Sequence, residues 1–171
     1  MIVSNQTETT FLKLVNQHKG ILYKASRIYA DSIEDREDLQ QEILIQLWKS
    51  YQNFKGNSEF STWMYRVAIN TAITYLKKEK QRTNTYTDAP HHFEVQQEDY
   101  NPAKDKQLEV FYYAVQELNA VEKAIIFYFM EGMSHKEIGS NLGLSEGNAR
   151  VKLNRTKEKI QQIIKKSGYE F

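Results

Sequence analysis

Apolar residues recur at spacings of three and four along most of the chain, and no long stretch alternates apolar with polar. That period is the helical one, so the pattern predicts an all-α protein without strands. A first helix is expected from about residue 8 to 29, with Phe11, Leu14, Val15, Ile21, Leu22, Ala25 and Ile28 mostly inward and Gly20 weakening its middle. Asp31 or Ser32 caps a second helix whose opening acids, Glu34, Asp35, Glu37 and Asp38, suit the positive end of the helix dipole. Its core arc is Leu39, Ile43, Leu44, Leu47, Trp48 and Tyr51. Gly56 and Asn57 mark a loop over 54–58, and Ser58 is placed to cap a third helix running to about residue 81. Met64, Tyr65, Ala68, Ile69, Ala72, Ile73 and Leu76 form its inner face.

The periodicity then lapses. Residues 83–105 are polar, poor in aliphatics and hold both prolines, Pro90 and Pro102, so they read as an extended or disordered linker. Beyond it a helix is expected to about Leu118, with Leu108, Phe111, Tyr112, Val115 and Leu118 apolar. Asn119 caps another through Glu131, with Val121, Ala124, Ile125 and Tyr128 inward. The pattern thus divides the chain into two small helical domains, 1–82 and 106–171.

Residues 132–160 carry the most specific signal. Ser134 and Glu137 fit a capping box, and Ile138 and Leu142 line one face of a short helix. Gly143 supplies a left-handed helix end, Leu144 a buried plug for the turn, and Ser145 the cap of the next helix. There Ala149, Leu153, Thr156 and Ile160 fall on one side. Asn148, Arg150, Val151, Asn154 and Arg155 fall on the other, with Lys152, Lys157 and Lys159 flanking. This is a helix-turn-helix whose second helix suits a DNA major groove, where Arg grips guanine and Asn grips adenine. The plainer reading is an amphipathic helical hairpin with a solvated basic face.

Two outward faces in the first half also stand out. On the second helix Asp38, Gln41, Glu42, Ile45 and Lys49 oppose the core arc. Ile45 among acids and amides fits either a tolerated surface residue or a protein-docking ridge. On the third helix Trp63, Arg66, Asn70, Thr74 and Lys77 line one stripe. That sequence of side chains suits single-stranded nucleic acid, with a ring to stack bases, cations for phosphate and an amide for a base edge. The alternative is an ordinary polar face with Trp63 tucked into the core.

Charge sharpens this picture. The net charge of +1 conceals 12 Lys/Arg against 9 Asp/Glu over 1–82, one against five over 83–105, and 10 against 8 over 106–171. Two mildly basic halves therefore flank an acidic strip, and the near-neutral total does not exclude a nucleic-acid partner. With 40% hydrophobic residues a core needs no disulfides, and the absence of cysteine removes thiol chemistry and Cys-based zinc sites. His91, His92, Glu94 and Glu98 match no metal-ligand spacing, so neither a metal nor another cofactor is expected. Nor is an enzyme, since no nucleophile has a plausible base and no Gly-rich loop cradles phosphate. The first residues lack a secretory leader's basic start and apolar core, and the longest apolar run, 124–130, is too short to span a bilayer. A cytoplasmic protein without membrane insertion is expected.

Three segments in order, DREDLQQEILIQLWKSY (35–51), FKGNSEFSTWMYRVAINTAITYLK (54–77) and the hairpin from Met133 to Ile160, resemble bacterial RNA polymerase sigma factors of the extracytoplasmic-function (ECF) type. The resemblance covers roughly 10–80 and 106–164. It implies that Asp38, Gln41, Glu42 and Ile45 dock on the β′ clamp helices of core RNA polymerase. It also implies that the loop with Phe54, Asn57 and Ser58 and the stripe Trp63, Arg66, Asn70, Thr74 and Lys77 open and read minus-ten promoter DNA. Asn148, Arg150, Val151, Asn154 and Arg155 match positions that read the minus-thirty-five element. The acidic linker resembles a segment that threads the polymerase channel, and an anti-sigma protein is the usual regulator. Family members often carry another basic residue near Val151 and Asn154, so the resemblance leaves open a different DNA sequence here. A stand-alone helix-turn-helix regulator is the competing reading.

Overall fold

The computed structural model describes residues 2–83 and 102–168, with side chains described for 5–82 and 106–168. The expected linker, including His91, His92, Glu94 and Glu98, lies outside the residues whose side chains are described. The described residues are all-α, with eight helices and no strand, as the periodicity predicts. Contacts divide them into two compact units, one within 1–89 and the other within 90–171.

In the first unit, α1 (Ile2–Gln17), α2 (Lys19–Tyr29), α3 (Ile33–Tyr51) and α4 (Phe60–Thr83) follow one another, and α2, α3 and α4 pack mutually. Ile21, Ala25 and Ile28 of α2 meet Leu39, Ile43 and Leu47 of α3 and Met64, Ala68, Ile69 and Ala72 of α4 in one core. The first helix was expected to be continuous; it breaks at His18 (φ −121°, ψ 22°). There the His18 N–H donates to Val15 O and the Ile21 N–H to His18 O, tightened three-residue turns on both sides. Periodicity missed the break because both segments keep one apolar arc, and the His18 ring rests against distant Phe60, centroids 6.0 Å apart. Ser32, not Asp31, caps α3, its Oγ accepting the Asp35 N–H at 3.0 Å. The head of α4 is Glu59 rather than the expected Ser58, since the helix starts at Phe60 and the Trp63 N–H donates to Glu59 O.

Trp48 departs from its expected core place: it is 41% exposed, lying at the edge of the arc against Phe11 at 5.0 Å. The buried polar group Ser26 is satisfied, donating to Tyr23 O and accepting from Gln40 Nε2.

The second unit comprises α5 (Pro102–Gln116), α6 (Ala120–Met130), α7 (His135–Leu142) and α8 (Glu146–Lys166), with α8 packed on the other three. Asn119 caps α6 in a full capping box with Glu122. Lys123 through Tyr128 are all buried, so α6 is covered on every side and an amphipathic reading understates it: Ile126 and Phe127 join the core. Val121, expected inward, is 45% exposed, and so is the apolar Leu108. Lys123 is accommodated by reaching Gln116 Oε1 with its Nζ at 3.2 Å.

Candidate nucleic-acid interface

The loop between α3 and α4 is held by rings. Gly56 takes φ +71°, a conformation that favours glycine, and so lets the chain turn back. Phe54 then lies 5.0 Å from Trp63 and 5.8 Å from Phe60, and Trp63 stands 5.3 Å from Phe60 and 6.3 Å from Tyr51. Such tilted and edge-on pairs add about 0.5–1.5 kcal/mol each beyond their area. Trp63 is therefore half-buried: one part of its ring anchors the loop and the remainder meets solvent. Asn57 is exposed at the loop tip, and Ser58 half-buried beside it.

From Trp63 the stripe continues outward, with Arg66, Asn70, Thr74 and Lys77 all exposed. The Thr74 hydroxyl donates to Asn70 O at 3.0 Å, which leaves its methyl as the part facing outward. On α3, Asp38, Gln41 and Ile45 are exposed and Glu42 half-buried, its Oε1 accepting from Gln46 Nε2 at 2.9 Å. The ridge and the stripe, distinct in the sequence, meet as the two walls of one open groove of about 570 Å³. Asp38, Gln41, Glu42 and Ile45 form one wall, and Asn70 and Thr74 stand on the other with Lys78. Lys78 belongs to the basic end of the same helix, and the α3–α4 packing brings it to the groove.

Tyr75 closes the groove's end, its hydroxyl 3.4 Å from Asp35 Oδ1, long for a hydrogen bond between oxygens. Its phenol is pushed up to about 12, first by burial and then by the Asp35, Glu79 and Asp38 carboxylates. A folded value above the ordinary 10 means that the buried, carboxylate-flanked site favours the neutral phenol, so the stability linked to it is fully present below about pH 10. The stabilisation is lost as pH rises through about 12. We expect the difference in 295 nm absorbance between wild type and Tyr75→Phe to titrate near the raised value, and Asp35→Asn to lower it. A midpoint at the ordinary tyrosine value would contradict the assignment.

Local hydrogen bonds shape the helix-turn-helix. The Ser134 N–H donates to Glu137 Oε2 at 2.7 Å and the Glu137 N–H to Ser134 Oγ at 3.2 Å. These bonds hold the Glu137 carboxyl below its usual range. Gly143 at φ +69° ends α7, and the Leu144 N–H reaches back to Gly139 O at 2.8 Å. Ser145 Oγ accepts the Asn148 N–H at 3.1 Å and starts α8. Leu144, expected as a buried plug, is only half-buried. The plug's place is taken by a backbone approach: a Cβ on Gly139 would lie 2.6 Å from Leu144 O. A glycine inside a helix was the available signal, and the sequence reading passed over it.

On α8, Ala149, Leu153, Thr156 and Ile160 are buried as expected, the Thr156 hydroxyl donating to Lys152 O. Asn148, Arg150, Val151, Asn154 and Arg155 are all exposed together on the opposite face. Lys157 and Lys159 turn back to the fold, the first over the Phe129 ring at 3.7 Å and the second to Glu122 at 2.9 Å. Arg150 pairs with Glu146 one turn earlier at 3.2 Å. Among the described residues no group of three or more His, Asp or Glu is placed to hold a metal, and no helix is long and apolar enough to cross a membrane.

The sigma-70 region 2 family matches residues 14–82 and the sigma-70 region 4 family residues 108–160. The chain is 26% identical to the ECF RNA polymerase sigma factor SigE of Mycolicibacterium smegmatis, covering 92% of this chain and 63% of that protein. It is 45% identical to SigG of Mycobacterium tuberculosis, but over 30% of this chain and only 14% of the relative. The chain thus spans less than two thirds of these relatives' own length. With the ECF RNA polymerase sigma-E factor of Escherichia coli it shares 28% identity over 77% of each. The fold matches the sigma factor RpoE of Bartonella quintana, solved with the anti-sigma factor NepR, at a TM-score of 0.71 and 17% identity, covering 92% of this chain and 96% of that one.

Proposed function

The chain belongs to the ECF sigma factors of bacterial RNA polymerase, and from that premise we propose that it makes transcription by the core enzyme promoter-specific. In this reading 1–82 is the polymerase-docking and minus-ten domain, 83–105 an acidic tether, and 106–171 the minus-thirty-five domain. Asp38, Gln41, Glu42 and Ile45 seat the β′ clamp helices. Phe54, Asn57, Ser58, Trp63, Arg66, Asn70, Thr74 and Lys77 open and hold minus-ten DNA. Extruding a base costs a few kcal/mol, which stacking on the outer part of Trp63 and contacts from Arg66 and Asn70 offset. Asn148, Arg150, Val151, Asn154 and Arg155 enter the upstream major groove. The chain carries out no reaction itself, works in the cytoplasm beside the polymerase, and is held inactive by an anti-sigma protein. A protein antagonist is in keeping with the fold's likeness to the sigma factor RpoE, solved with the anti-sigma factor NepR, and to CnrH, solved with the cytosolic domain of CnrY.

The single observation that carries this reading is the order of two sigma-70 regions on one chain, each presenting an exposed polar strip on a rigid helix. Run-off transcription tests it: specific initiation should require both this chain and core enzyme. Arg155→Ala should cost about 1–3 kcal/mol of upstream-element binding if it grips a base. Tight, specific promoter binding by the chain without polymerase would instead favour a stand-alone regulator.

A further inference from the structure

On α8 the buried arc runs through Ala149, Leu153, Thr156 and Ile160, and Val151 stands opposite its middle, 47% exposed. A single exposed valine is ordinary on most surfaces. This one is the apolar centre of a face whose other members, Asn148, Arg150, Asn154 and Arg155, all carry hydrogen-bonding groups. One turn before it, Gly147 has no side chain and open space where a Cβ would project. The Arg150 guanidinium is drawn toward the helix N-terminus by Glu146, so nothing covers the valine from that side. When such a face enters a major groove, water leaves it. Val151 ends two bonds past Cα, too short for the phosphates and unable to satisfy any donor or acceptor. Set against a polar base edge, it would leave that edge desolvated without a partner. The apolar group that base edges offer in this groove is the C5-methyl of thymine.

Resting on the reading of α8 given above, we propose that Val151 is a specificity-determining residue that selects a pyrimidine C5-methyl, thymine in unmodified DNA, at one position of the upstream element. The probe is a tight-binding duplex selected by the reconstituted holoenzyme from a pool randomised upstream and synthesised without modified bases. Each thymine is then replaced singly by deoxyuridine, which removes only the methyl. At one position the replacement should weaken holoenzyme binding about fourfold, the weight of one buried methyl-sized group. Val151→Ala should abolish the preference there and leave the response at every other position unchanged. At that position 5-methylcytosine should bind better than cytosine, since it restores the same methyl on a different base. If no thymine is sensitive, or if Val151→Ala keeps the sensitivity, the inference is overturned. If scrambling the whole upstream element leaves binding unchanged, the reading of α8 itself has failed, and the two results are told apart.

Discussion

Gly139→Ala destabilises the second unit by about 1–2 kcal/mol, although alanine is the better helix former. The added Cβ would stand 2.6 Å from Leu144 O and 3.3 Å from the Ser145 carbonyl carbon and oxygen. All three are backbone atoms of the turn, fixed by the Gly143 and Leu144 N–H bonds to Gly139 O. No side chain can rotate away, so α7 and α8 must separate. Their separation strips Ile138 and Ala149, both fully buried, of contacts. Overpacking of this kind costs about 1–3 kcal/mol, and the helix propensity gained offsets under about 1. Hydrogen exchange of the full chain checks it: amides over 138–156 should lose protection while those of α3 and α4 do not. Gly147→Ala is the control. Its Cβ meets nothing within 4 Å, so it should stabilise by about 0.5–1 kcal/mol. Unchanged protection in Gly139→Ala would show that the turn tolerates a side chain and that the close approach is not a constraint.

Ile45→Glu is expected to weaken association with core RNA polymerase by one to two orders of magnitude, about 1.4–2.8 kcal/mol. Ile45 is 46% exposed in the free chain, flanked by Gln41 and Glu42 on the wall of the α3–α4 groove. A protein seated on that wall removes the isoleucine from water and gains its transfer energy. The glutamate instead carries a charge into the interface beside Glu42, where it lacks a partner and repels its neighbour. Because the side chain packs little within its own unit, unfolding of the variant should stay within about 0.5 kcal/mol of wild type. Association measured by competition with a labelled sigma factor, alongside a thermal melt, separates the two effects. Undiminished association would take Ile45 off the docking surface.

The Trp63 cluster shows where sequence reading reached its limit on the first unit. Helical phase offered two places for the ring, stacked outward on nucleic acid or tucked into the core. It lies half-buried between them, because Phe54 arrives from the loop and Phe60 from the head of the same helix to cover one side. Those contacts depend on how the loop folds back, which helical phase does not encode. The ridge and the stripe show the same limit. Each was legible by its phase, but their meeting on one groove follows from α3 packing on α4.

What the sequence determined by itself is what short-range physics decides. The caps at Asn119, Ser134 and Ser145, the left-handed end at Gly143 and the outward face of α8 each depend on residues within about one helical turn. Tertiary structure alone decided the break at His18 against Phe60, the exposure of Trp48, Leu108 and Val121, and the envelopment of α6. It also set the Tyr75–Asp35 contact, between residues forty positions apart. Each of these turns on which element covers which. A residue's own periodicity fixes the direction it faces, and only the packed neighbours fix what it meets there.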